Sequence, residues 1–411
     1  MIRHLSLFPL LLVLCVDVSV VSAQDETLFP LPNDFGVLKF YSVDESSDYS
    51  DSDGSIVLVS GSAMTGRYSV ALRSFAWYDA ARRRTVPALV FYPSARGQRF
   101  PIIVFSHGLG GSPSRCSYLA SAWAARGFVV VLLQHPGSDE NVWKGKVRIL
   151  NELREAYKTS WTGRTRALDI RFVLDQLESL EKNGDWLRSL LDFGNIGVGG
   201  YDLGSLASLL VVGQLPPDGG SSLADSRVKA VLAMSPPINP PQGSYRNVYA
   251  AVDVPAFFIT GTDDDGIVGS TKATERRIPF DAMSGNSRYL VVLHGADHQI
   301  YGGHFLSFRG RNDQSFQQAI SRVSTLFWQA YLKNDEQAIN DLTGYRLNSL
   351  LGVAATVERR ILPRSTAAHS VPEPELSKPS AEKPLPNGSS LLSESFPLTR
   401  LYRVMVAKSE R

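Results

Sequence analysis

The middle of the chain alternates two kinds of apolar pattern. Short continuous apolar runs bounded by turn residues stand at Ala88–Tyr92 (ALVFY), Pro101–Ser106 (PIIVFS) and Gly127–Gln134 (GFVVVLLQ). Runs of this kind predict strands buried on both faces. Ser117–Ala125 is helix-like, and Arg164–Leu180 sets Leu168, Ile170, Phe172, Val173, Leu174 and Leu177 at the spacing of an amphipathic helix. Further strands are predicted at Ile196–Gly199, Val228–Met234, Val254–Thr260 and Tyr289–Leu293, and a long helix near Gln314–Leu332 ends the series. Repeated strand–helix alternation predicts an α/β fold, a mostly parallel sheet with helices on both faces. In such sheets the working residues sit on loops at the C-terminal ends of the strands.

The two ends of the chain follow neither pattern. Arg3, an apolar run from Leu5 to Leu14 and the small residues Val21-Ser22-Ala23 have the order of an export signal. The expected organisation is a signal peptide over 1–23, an acidic and serine-rich linker over 24–66, an α/β domain over 67–360, and a Pro/Ser-rich tail over 361–411. The tail has too little apolar surface to fold alone. The mature protein is therefore expected to be exported, periplasmic or secreted. Within the linker, Asp51 and Asp53 suit a calcium loop, but Tyr49 and Ser60 occupy its first and twelfth positions, so the segment is expected to be solvated.

Composition narrows the class further. The 411 residues are 44% hydrophobic and 20% charged, ordinary for a globular protein. Net charge is +2, from 42 basic and 40 acidic residues, which argues against a nucleic-acid partner. Cys15 and Cys116 are too few for a disulfide framework or a cysteine zinc site. Beyond the leader no stretch approaches the roughly 20 apolar residues of a membrane helix, so no transmembrane segment is expected in the mature chain. No metal-ligand cluster or phosphate loop is apparent, and no cofactor or metal is expected.

Three strand-end loops carry chemistry. His107-Gly108-Leu109-Gly110-Gly111 follows PIIVFS and suits one half of an oxyanion hole, with Leu109 N–H as the donor. Gly261-Thr262-Asp263-Asp264-Asp265-Gly266 follows VPAFFIT and offers an acid to orient a histidine. Asp264 is the first choice and Asp265 a close second. His294-Gly295-Ala296-Asp297-His298 follows YLVVL, and His298 hangs where a catalytic base belongs. Between them, NIGVG leads into Gly200-Tyr201-Asp202-Leu203-Gly204. The glycines match a nucleophile elbow, G-x-nucleophile-x-G, with aspartate where serine is usual.

These blocks, with RSFAWYDAARRRTVPALVFYP (73–93), FSHGLGGSPSRCSYLASAWAARGFVV (105–130), QHPGSD (134–139), ITGTDDDGIVG (259–269), RRIPFDAM (276–283) and HGADH (294–298), resemble the α/β-hydrolase superfamily from about Tyr68 to Arg360. The closest likeness is to exported dienelactone-hydrolase-like and platelet-activating-factor-acetylhydrolase-like esterases. The resemblance implies His298 as base, Asp264 as its acid partner, and backbone N–H groups of Leu109 and Leu203 as oxyanion hole. It implies a small-molecule substrate or ligand, an ester or lipid. It does not supply a serine at 202. Ser205 lies about a turn into the following helix and lacks the flanking glycines.

Three functions follow. The first is an ester hydrolase by family. The second is a hydrolase of carbon–halogen or epoxide bonds with Asp202 as nucleophile, as in haloalkane dehalogenases and epoxide hydrolases of the same fold. Those enzymes carry a cap after the strand at 228–234, where this chain has only about 20 residues before the next strand. Residues 140–160 form a small lid in this reading, with Trp143 or Trp161 against substrate. The third is a non-catalytic binding scaffold. Acyl transfer to Asp202 is disfavoured by chemistry: with a pKa near 4, the carboxylate leaves far better than an alkoxide, and the intermediate collapses backwards.

Overall fold

The continuous apolar runs become the centre of one sheet. The computed structural model describes residues 57–59, 67–160, 163–180, 185–239, 244–302 and 313–362. The chain divides into two units, residues 1–362 and 363–411, and the described residues lie in the first. The expected leader, nearly all of the acidic linker, Trp161 and the tail beyond 362 fall outside the described residues.

The strands are β1 (Val57–Val59), β2 (Val70–Asp79), β3 (Arg84–Pro93), β4 (Phe100–Ser106), β5 (Val129–Leu133), β6 (Leu191–Tyr201), β7 (Val228–Met234), β8 (Ala256–Asp263), β9 (Arg288–Asp297) and β10 (Ala355–Arg360). Their order across the sheet is β1-β2-β3-β5-β4-β6-β7-β8-β9-β10. Neighbours from β5 to β9 run parallel, while the pairs at the two edges are antiparallel. The helices are α1 (Ser117–Ala125), α2 (Ile149–Ser160), α3 (Arg164–Ser179), α4 (Leu203–Val211), α5 (Tyr245–Tyr249), α6 (Ile278–Ala282), α7 (Asp313–Leu332), α8 (Glu336–Thr343) and α9 (Arg346–Leu351).

Alternate residues of each strand face opposite layers. Ile103, Leu232 and Phe257 pack with Trp123 of α1, Phe327 and Trp328 of α7, and Leu342 of α8. Their neighbours Val104, Val231 and Phe258 pack with Ile170 and Leu174 of α3, Leu206 and Leu210 of α4, and Phe280 of α6. Both faces are therefore covered, which is why the central strands read as unbroken apolar runs.

The expected elements recur with longer ends. β6 begins five residues before its apolar run, because Leu191 and Asp192 pair with Phe100 and Pro101 ahead of a register shift. The long helix is not the last element: α8, α9 and β10 follow it, and β10 pairs with β9. The hairpin partner β2 also escaped the periodic reading. Its inner half is buried and its outer half alternates, so it carries no single period. Between β7 and β8 only the short α5 is described, so no large cap is inserted there.

The order β5-β4-β6 makes the C-terminal end of β4 the point where the chain reverses its direction of travel across the sheet. Clefts form at such a point. Ser106 of β4 is level with Gly200 of β6, so the loop after β4 and the turn after β6 emerge side by side.

Trp328 is buried between Trp123 and Phe327 and lies against Gly197 of β6. Trp328→Ala is expected to destabilise the domain by about 3–5 kcal/mol. Denaturant midpoints at unchanged slope check this, and a loss under about 1 kcal/mol contradicts a close-packed layer here.

Candidate active site

The turn after β6 is a strained elbow. Asp202 has φ 52° and ψ −124°, a conformation that L residues rarely adopt, and it immediately precedes α4. The flanking glycines make room for it. A Cβ on Gly204 would overlap the carbonyl oxygens of Ser106 and His107, and one on Gly200 would overlap the backbone of Gly204. The backbone N–H of Asp202 donates to Met234 O at the end of β7 (3.0 Å), and its carbonyl accepts from Ser205 N–H (2.9 Å).

The Asp202 side chain is 14% exposed. Oδ2 accepts from Leu109 N–H at 3.0 Å. Leu109 N–H, expected as an oxyanion donor, is thus engaged by the carboxylate of Asp202. Leu203 opens α4, where first-turn N–H groups have no partner within the helix. Oδ1 lies 3.9 Å from His298 Nε2, too long for a hydrogen bond.

His298 follows β9, and its Nδ1 is 2.8 Å from Oδ1 of Asp264. The carboxylate only accepts, so in the neutral ring Nδ1 carries the hydrogen and the Nε2 lone pair faces Asp202. Asp264 is fully buried, whereas Asp265 is exposed and engages Lys272 (3.0 Å) and Ala273 N–H (2.9 Å). The geometry therefore joins Asp264, not Asp265, to the histidine.

Three residues around this pair were not anticipated. Ser235, at the end of β7, donates to Asp264 Oδ1 (2.8 Å) and lies 2.8 Å from His298 Nδ1. Thr260 Oγ1 donates to Asp264 Oδ2 (2.8 Å). Arg276, 1% exposed, sets Nε 3.1 Å from Asp264 Oδ1 and Nη2 3.2 Å from His298 Nδ1. Burial pushes the Asp264 carboxyl up, but Arg276, His298 and Ser235 outweigh it and hold Asp264 below its ordinary value. The sequence sets His298 between two carboxylates; the structure adds a guanidinium to the same group. Arg276 lies in the RRIPF block, and Ser235 obeys the strand-end rule, so both had a signal.

Ser205 does not replace the missing serine. It is buried, and its hydroxyl donates to Asp202 O at 2.7 Å. A second Ser–His–Asp chain lies behind the oxyanion loop: Ser106 Oγ is 2.8 Å from His135 Nε2, and His135 Nδ1 is 2.9 Å from Asp169 Oδ2. All three are 0% exposed, and Asp169 is paired with Arg82 and Arg84. This chain holds the loop and meets no solvent.

The 140–160 segment, expected as a small lid, contains a short 3-10 turn (Glu140–Val142) and α2. Trp143 donates Nε1–H to Gly110 O (2.7 Å), tying the start of the 140–160 segment to the oxyanion loop. Tyr157 of α2 lies by Gly269. Burial and then the Asp202 charge raise its phenol above the ordinary value, so it stays a proton donor near that carboxylate.

Among the described residues no group of three His, Cys, Asp or Glu side chains is placed to hold a metal ion. No described helix is long and apolar enough to cross a membrane.

Buried neutral histidines make the domain acid-sensitive. Burial pulls His135 down to about 4, against the pull of Asp169, and holds His107 well below its ordinary value. Both stay unprotonated in the fold while the unfolded chain takes up protons near pH 6.5. Stability is therefore full above about pH 6.5 and falls toward pH 4, by about 3 kcal/mol for His135. Thermal melts from pH 7 to pH 4 check this, and a flat profile in that window contradicts it.

A family model described as platelet-activating factor acetylhydrolase, isoform II, matches residues 74–144. The match runs from the middle of β2 through β3, β4, the HGLGG loop, α1 and β5, and stops before the turn at Asp202. A search of curated proteins finds no match. The sheet order, the elbow after β6 and the matched segment together give this chain the α/β-hydrolase fold.

Proposed function

We propose that the chain is a hydrolase in which Asp202 stands in for serine as the nucleophile and attacks saturated carbon that bears a leaving group. One observation carries this reading: Oδ2 of Asp202 rests on Leu109 N–H while Oδ1 faces His298. In the first step Oδ1 bonds to carbon, and the carbon–halogen or carbon–oxygen bond breaks with its electron pair going to the leaving atom. An alkyl ester of Asp202 results, with its carbonyl oxygen already on the Leu109 donor. In the second step His298 Nε2 takes a proton from water, hydroxide adds to Asp202 Cγ, and the N–H groups of Leu109 and Leu203 hold the oxyanion. Collapse expels the alcohol oxygen, which regains the proton from His298. Asp264, fixed by Ser235, Thr260 and Arg276, orients the imidazole. The Tyr157 phenol suits an epoxide, whose leaving oxygen needs a proton.

The family match favours a second reading, carboxylic-ester hydrolysis. Here water attacks the ester directly with His298 as base, and the ester carbonyl must first take Leu109 N–H from Asp202. A binding scaffold without turnover is the third. Export remains part of the proposal and rests on the pattern at 1–23.

The test compares wild type, His298→Gln and Asp202→Ser on a terminal epoxide, an iodoalkane and p-nitrophenyl butyrate. Wild type is expected to open the epoxide or iodoalkane. His298→Gln should still form the alkyl-enzyme but release it about 10²–10⁴-fold more slowly. Intact-mass spectrometry then shows the adduct on the peptide containing Asp202. Butyrate hydrolysis by wild type that vanishes in His298→Gln, with no adduct, selects the ester reading. A wild type silent on all three substrates selects the scaffold.

A further inference from the structure

Arg166 of α3 is buried, 1% exposed, yet among the described residues no carboxylate forms an ion pair with it. Its partners are neutral oxygens. Nε donates to Ser138 Oγ (3.0 Å), Nη1 to Ser106 Oγ (3.4 Å) and to His107 O, and Nη2 to Ser138 O (3.0 Å) and Gly108 O (3.2 Å). A buried cation without a counter-ion is costly. Burial accordingly pulls the guanidinium down to about 10, and the first charge opposing that pull is Asp202, ahead of Asp169 and Asp139.

The path between the two charges is a single peptide group. Gly108 C=O accepts from Arg166, and Leu109 N–H, on the other side of the same planar peptide, donates to Asp202 Oδ2. The guanidinium and the carboxylate therefore lie at opposite ends of one peptide dipole, each at the end that favours it. Two other groups reach the same carbonyl: His107 Nδ1 (2.6 Å) and Gly111 N–H (3.1 Å). His107 Nε2 accepts from His135 N–H (3.3 Å), so Nδ1 carries the hydrogen. Both are neutral donors and keep the peptide in place without Arg166. What Arg166 alone adds there is charge, and hydrogen bonds in a chain polarise one another.

We propose that Arg166 is a positioning residue of the elbow. Acting through the Gly108–Leu109 peptide, it strengthens the Leu109 N–H as a donor and balances the charge of Asp202. The same donor would hold the oxyanion in either hydrolytic reading above, but the relay exists whether or not the site turns over.

The dipeptide Gly-Leu occurs once in the chain, at 108–109. Carbonyl-¹³C glycine with ¹⁵N leucine therefore gives one cross-peak in a carbonyl-correlated amide spectrum, reporting Gly108 C=O and Leu109 N–H together. In the full chain, Arg166→Gln keeps amide donors and loses the charge, and should move the Leu109 proton and the Gly108 carbon upfield. Arg166→Lys keeps the charge and should hold both near their wild-type positions. Asp202→Asn removes the other charge at a side chain that is partly exposed rather than in the core, and should move the Gly108 carbon upfield by itself. A peak that stays put in folded Arg166→Gln overturns the proposal, as does a peak that moves equally in the Gln and Lys variants. If neither Arg166 variant folds, an unmoved Gly108 carbon in Asp202→Asn overturns it.

Discussion

A carboxylate at a tight positive-φ turn faces two costs, backbone strain and partial loss of water, and the architecture around Asp202 meets both. The strain at φ 52° is held by hydrogen bonds from the elbow backbone to β7 and α4, and by two flanking glycines whose missing side chains let the turn close. The charge meets Leu109 N–H directly and the buried Arg166 through one peptide. Asp264 shows a parallel arrangement. It is buried deeper than Asp202 and has a guanidinium, Arg276, in direct contact. Each acidic residue of the site thus has its own buried arginine, one behind a peptide and one beside the carboxylate.

These pairings depend on the sheet. Four parallel strands, β4, β6, β8 and β9, deliver the HGLGG loop, the turn at Asp202, Asp264 and His298, and β7 delivers Ser235 between them. Direct backbone bonds link adjacent ends, from Asp202 N–H to Met234 O and from Ser235 N–H to Ile259 O. The site is therefore fixed by the same ladder that holds the core, and small displacements of one strand end are opposed by its neighbours. The lid is lighter. It is tied at Trp143 and packs through Leu153 and Ala156 of α2, leaving much of that helix exposed.

Much of this was legible in the sequence because sheet strands buried on both faces have to be continuously apolar, and loops at their ends have to contain glycine where backbone approaches backbone. Those two requirements locate β3 to β9, the HGLGG loop and the GYDLG elbow. They also place Asp202, Asp264 and His298, which the fold brings together. What stayed hidden depends on contacts across the chain. Arg276 and Arg166 look like surface charges in a helical or loop context, and only tertiary structure shows that both are buried. The choice between Asp264 and Asp265 turns on which side chain faces inward at the end of β8. β10, rich in charge (ATVERR), has no apolar period and forms because the edge of β9 was unpaired.

The central claim is that Asp202 is a covalent nucleophile. The most direct measurement is a single turnover of a terminal epoxide in H₂¹⁸O with enzyme in excess, followed by mass analysis of product and of the peptide containing Asp202. The expected result is one ¹⁸O atom in that peptide and unlabelled oxygen newly joined to carbon in the product. Label in the product with an unlabelled peptide would mean that water attacks the substrate directly, and Asp202 would lose its assigned role.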